Sequence, residues 1–166
     1  MIGEKIVPCG ERTLAVPSHP HEVIEWDASH APDGELRVLV DRKVVQVIEA
    51  ALCSCVAFAD ADTLVSGSTD YTVRMWRLVR GQAAAPRPLG VIPTHIMRAH
   101  TAPVTCITTS RLWSIVVSGS QDGSAALWDL NRGVYVRSIW HGNGKEHEVH
   151  LVAIQDSSVS PSSAVR

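Results

Sequence analysis

The run Leu64-Val65-Ser66-Gly67-Ser68-Thr69-Asp70-Tyr71-Thr72-Val73-Arg74-Met75-Trp76-Arg77-Leu78 decides the fold, because the chain carries it twice. The second copy is Val116-Val117-Ser118-Gly119-Ser120-Gln121-Asp122-Gly123-Ser124-Ala125-Ala126-Leu127-Trp128-Asp129-Leu130. Its Ser, Asp and Trp are each displaced by 52 residues. A fainter third copy lies 37 residues upstream of the first. There Ser29, Asp33 and Gly34 precede Leu36-Arg37-Val38-Leu39, and Leu39 takes the Trp position. Self-similarity at such a period marks a repeat architecture. The longer interval contains Gly81-Gln82-Ala83-Ala84-Ala85-Pro86-Arg87-Pro88-Leu89-Gly90, whose Gly, Pro and polar content reads as an inserted loop.

Each copy reads as short strands. Leu64 to Ser68 and Ile115 to Ser120 are rich in β-branched residues and end in Gly-Ser, which suits a strand entering a turn. Asp70 and Asp122 sit in those turns. The pattern predicts strands at 53–59, 63–68, 73–78 and about 92–98, then at 103–109, 114–120, 124–130 and 134–140. No segment holds a helical period over ten or more residues. Four antiparallel strands repeated radially describe a propeller blade, so the expected class is all-β.

Composition narrows the function classes. The 166 residues are 45% hydrophobic and 19% charged, with 15 basic and 17 acidic residues and a formal charge of −2. No overall field draws such a chain to nucleic acid or anionic lipid, and no nucleic-acid partner is expected. No apolar run approaches the roughly 20 residues of a membrane span. Met1 to Arg12 lacks the apolar stretch of a signal peptide. Cys9, Cys53, Cys55 and Cys106 therefore read as reduced thiols in a cytosolic setting. Five Trp against two Tyr and one Phe suggest positions that demand Trp.

The residues at this spacing resemble the WD40 family, whose blades run about 40–45 residues. Ala99-His100 stands at the family's Gly-His position, and Trp128-Asp129 is its Trp-Asp dipeptide. The resemblance implies a buried hydrogen-bonded tetrad of His100, Ser118, Asp122 and Trp128. The preceding blade supplies Ser66, Asp70 and Trp76, but Glu49-Ala50 occupies its Gly-His position and Trp76-Arg77 replaces Trp-Asp. A narrower resemblance begins at Arg12-Thr13-Leu14-Ala15-Val16-Pro17 and continues through Glu25-Trp26-Asp27 and Asp33-Gly34-Glu35-Leu36-Arg37-Val38. This is similar to the opening of the propeller that follows the BEACH domain in neurobeachin-like proteins. It departs from that pattern by one Pro instead of two, Trp-Asp instead of Trp-Gly, and extra residues Ser29 to Pro32.

The expected architecture is a WD40-type β-propeller fragment spanning 1–155, with two full four-stranded blades at 49–98 and 99–141. Partial flanking blades are expected at about 5–48 and 148–155, where Val149 to Ile154 would be a first strand. The Ser-rich stretch 156–166 reads as a disordered tail.

His, Ser and Asp are also the inventory of a hydrolase triad. Here they recur in register with strands and end on a Trp, and Ser118 lacks a Gly-x-Ser-x-Gly elbow. A structural role is expected, with no catalytic residue, no cofactor and no metal. Cys53 and Cys55, two apart on a strand, should share one face and pack in a core. His141, His147 and His150 read as part of an inter-blade loop. Arg74, Arg77, Arg80, Arg87 and Arg98 form a local basic excess, read as a solvated face with a partner or lipid-headgroup contact as the rival. The BEACH-type resemblance implies a cytosolic scaffold of vesicle trafficking, indirectly and peripherally associated with membranes. Its partners would be other proteins and the remaining blades of a larger propeller. An unrelated WD40 adaptor, such as a ubiquitin-ligase substrate receptor or signalling scaffold, is the alternative. The candidate partner-binding segment is the loop from Gly81 through Arg87 to Gly90, since loops on a rigid frame concentrate function.

Overall fold

β-branched and apolar residues alternating with polar ones, cut by Asp- and Gly-containing turns, leave the backbone little choice but short antiparallel strands. A computed structural model describes residues 13–16, 19–27, 35–40, 42–48, 53–80, 90–140 and 147–156. It holds twelve strands in the described residues: β1 Thr13–Val16, β2 His19–Asp27, β3 Glu35–Val40, β4 Lys43–Ile48, β5 Cys53–Asp60, β6 Thr63–Ser68, β7 Thr72–Val79, β8 Gly90–Arg98, β9 Val104–Ser110, β10 Ile115–Ser120, β11 Ser124–Asp129 and β12 Val134–Trp140. They form three antiparallel sheets, each of four strands in sequence order. The chain is an all-β propeller fold of the WD40 type.

The second and third sheets fall within a residue or two of the predicted strands. The first does not match its prediction, because residues 13–48 supply a four-stranded sheet where only part of a blade was expected. Leu39 hid it by taking the place of the marker Trp, yet Glu35–Val40 and Lys43–Ile48 still pair through a turn at Arg42, whose φ is 64°. At the other end, 149–156 is described without strand structure, against the expectation of a first strand there. Only Asp156 of the predicted tail lies within the described residues.

The sheets stack through two apolar cores. Val16, Ile24 and Val38 of the first sheet meet Cys53, Leu64, Trp76, Leu78 and Val91 of the second. Cys55, Val65, Val73, Met75 and Met97, from the other face of the second sheet, meet Val104, Ile107, Val116, Ala126, Trp128 and Leu130 of the third. Burying one large apolar side chain in such a core is worth about 1.5–3 kcal/mol. The two cysteines correct the sequence reading. A β-bulge pairs Cys53 with Ser68 and Cys55 with Gly67, so the thiols enter different cores rather than one face. Burial raises both thiol pKa values, that of Cys53 to about 12.

The seams also repeat. A Cβ on Gly67 would lie 2.5 Å from Val104 Cγ1 and 2.6 Å from Cys55 Sγ. A Cβ on Gly119 would lie 2.5 Å from Val149 Cγ1 and 2.6 Å from Cys106 Sγ. Ser54 Oγ reaches the carbonyls of Gly67 and Val104, as Thr105 Oγ1 reaches those of Gly119 and Val149. Val149 thus lies against the third sheet as Val104 lies against the second, although its segment forms no ladder.

Candidate functional site

The turn between β10 and β11 is short and polar, and Gly123 enters it with a φ of 81°. Asp122 is thereby aimed back under the loop that delivers His100. One carboxylate oxygen, Oδ1, accepts from the Ser124 amide at 2.9 Å and the Ser124 hydroxyl at 2.5 Å. The other, Oδ2, accepts from the Thr101 amide at 2.8 Å and faces His100 Nδ1 at 3.3 Å. His100 Nε2 lies 2.7 Å from Ser118 Oγ, which also receives the Trp128 indole N–H at 2.8 Å. The structure brings all four residues together.

These contacts fix the proton positions. Nδ1–H donates toward Asp122, with Ser124 Oγ 3.1 Å away, and Nε2 accepts from the Ser118 hydroxyl. The Ser118 lone pairs are left for the indole. Burial lowers the His100 pKa and outweighs the opposing pull of Asp122, so the imidazole is neutral. Burial acts to raise the Asp122 pKa, but hydrogen bonds from Ser124 and Thr101, with His100 beside them, hold it below the usual carboxylate value.

A serine 2.7 Å from an imidazole is, by distance alone, an activated nucleophile. Here Ser118 is fully buried, and the His100 side chain has no exposed surface. Trp128 packs T-shaped against His100, and Tyr135 in turn against Trp128. The Ser118 hydroxyl therefore has no exposed surface on which to meet a substrate.

The second blade solves the same problem without a His. Trp76 Nε1 donates to Ser66 Oγ at 2.9 Å. Asp70 Oδ1 accepts from the amide and hydroxyl of Thr72, while Oδ2 takes Arg74 Nη2 at 2.6 Å. Burial works to raise the Asp70 pKa, and the Thr72, Ser68 and Arg74 contacts lower it further than burial lifts it. Arg74 occupies the position of Ala126 in the third blade and gives Asp70 a cationic donor where Asp122 has the neutral His100. The sequence reading placed Arg74 in a solvated basic run; its spacing of four from Asp70 was the signal for this pair. Ser124 and Thr72, which brace each Asp, also went unassigned. Tyr71, with a φ of 74°, stands where the third blade has Gly123.

The remaining candidates are scattered. Gly90 begins β8, while Gly81 and Arg87 lie outside the described residues. His150 faces Glu148 at 3.8 Å, and His141 lies outside them too.

Comparison with known proteins agrees in kind with this geometry. Residues 23–160 match the model of the neurobeachin beta propeller domain, which is most of the chain. BEACH domain-containing protein B of Arabidopsis thaliana is 34% identical over 145 residues, covering 74% of this chain and 6% of that protein. Human WD repeat- and FYVE domain-containing protein 4 is 32% identical over 108 residues, covering 65% and 3%. The lysosomal-trafficking regulator of Drosophila melanogaster is 41% identical over 69 residues, covering 42% and 2%. The chain therefore spans a small part of the length of each of these relatives.

Proposed function

Because this chain belongs to the neurobeachin β-propeller family, we propose that it is a protein-interaction scaffold within a BEACH-type protein of vesicle trafficking, working at the cytoplasmic side of membranes. The observation that carries this reading is the closure of the polar network. His100, Ser118, Asp122 and Trp128 satisfy one another in the interior, so they brace the blade and offer no chemistry to solvent. Ser66, Asp70 and Trp76 have the same role next door. What such a molecule presents outward is shape, carried by turns and strand edges on a stiff frame. The names of the relatives, among them a lysosomal-trafficking regulator, support the trafficking assignment. No small-molecule cofactor has a role in this account.

The segment from Gly81 through Arg87 to Gly90 is proposed as one partner contact, since it is an insertion beyond the repeat. The test is to replace it with a four-residue Gly-Ser link in the complete protein. Partner recovery and membrane association should fall while the thermal midpoint holds. Unchanged partners at unchanged stability would remove the loop from the account.

A further inference from the structure

Between the second and third sheets, outside the buried network, runs an open groove of about 1150 Å³. It is bordered by the turn after β5, the outer parts of β7 and β8, and the turns of the third sheet. Three arginines, Arg77, Arg80 and Arg111, line it together with Asp60 and Asp62. Arg80 is committed to Asp62 and the Ala61 carbonyl. Arg111 lies 3.6 Å from Asp60 and bonds Asn131. Arg77 has no carboxylate within ion-pair distance among the described residues. Among the described residues, one positive charge in the groove is therefore unanswered.

Beside it stands a second unmet group. His95 Nδ1 is a buried polar atom without a hydrogen-bond partner among the described residues. It is also held in place deliberately. The ring lies against Gly133, where a Cβ would come within 2.4 Å of His95 Cγ, and Gly133 has a φ of 63°. His95 pairs with Met75 across the β7–β8 ladder, and Met75 and Arg77 are two apart on β7, so all three lie on one face of the sheet. That face is turned toward the third sheet, with Met75 already in the core between them.

We propose that this groove receives an extended peptide of a partner protein, with one carboxylate set between Arg77 and His95. A buried polar atom left without a partner is costly; with its proton on Nδ1, His95 donates to an incoming carboxylate oxygen, which pairs with the arginine as well. The single unanswered charge matches a monoanionic Asp or Glu side chain better than a phosphate, which would bring a further negative charge beside Asp60 and Asp62. Val79, 41% exposed at the groove, offers an apolar contact for a neighbouring residue of an extended chain. This inference rests on the scaffold reading and gives it a site and a partner chemistry.

The test uses the complete protein on an array of matched nine-residue peptides that differ only in a central Glu or Gln. Retention should favour the Glu member roughly tenfold, the scale of one charge-assisted pair. Arg77→Gln should erase the preference. His95→Phe, which keeps the ring against Gly133, should weaken it while leaving the thermal midpoint unchanged or higher. A merely structural His95 would instead lower the midpoint and leave the preference intact. No preference for Glu, or a preference that survives Arg77→Gln, would overturn the proposal. An Arg77→Gln protein that loses the preference but keeps all its cellular partners would also overturn it as a partner site, with the scaffold reading still standing.

Discussion

At the scale of single residues, the strongest statement concerns Asp122. Its carboxylate accepts two backbone N–H bonds and a hydroxyl and orients the buried imidazole of His100. Asp122→Ala removes the acceptor and leaves the buried Ser124 amide and hydroxyl without it. Each unmet group of this kind costs about 1–3 kcal/mol. The expected result is a clear fall in the unfolding midpoint of the complete protein. A variant as stable as the wild type, measured by chemical denaturation, would contradict the bracing role. These residues were legible in the sequence because they recur at a fixed spacing. Arg74 was not, because it answers the absence of a His, and an absence leaves no motif of its own.

At the scale of elements, what joins sheet to sheet is close approach rather than polarity. Gly67 admits Val104 against Cys55, and Gly119 admits Val149 against Cys106, at distances that leave no room for a methyl group. Gly67→Ala should therefore push β9 away from β6 and cost about 1–3 kcal/mol, the usual penalty of overpacking. Thermal unfolding of Gly67→Ala checks this, and a second change, Val104→Ala, should return part of the loss by vacating the contested space. An equal or greater loss in the double variant would show that the glycine serves its strand and not the seam. The strands of the second and third sheets could be read in advance because alternation and Asp turns are local signals. The bulge between Cys53 and Cys55 could not, since it depends on which residues face across the ladder, and one extra residue sends two neighbouring thiols into opposite cores. The first sheet was under-read for a related reason: its strands are locally sound, but its marker positions have drifted.

At the scale of the whole molecule, the sheets behave as successive copies of one packing problem. Cys55, Val65, Met75 and Met97 of the second sheet are buried by the third. Their counterparts by register, Cys106, Val117, Leu127 and Ile139, lie on the far face of the third sheet and are only half-buried or exposed, with Ile139 at 49%. The segment 147–156 covers only the strip over Gly119 and Cys106, with Ser110 bonded to Asp156. The rest of that face has the composition of a core and the exposure of a surface. Repeat units of this kind need a neighbour on each side for stability, and exposed sheet edges pair with other chains. In our account the neighbours are further blades of the same propeller.

The most direct measurement is therefore the size and unfolding of residues 1–166 expressed alone, by light scattering coupled to chromatography and by denaturant titration. The account predicts oligomeric or insoluble material, and a shift toward monomer when Val117, Leu127 and Ile139 are made polar together. A monodisperse monomer of the unaltered chain that unfolds in one cooperative step would contradict it.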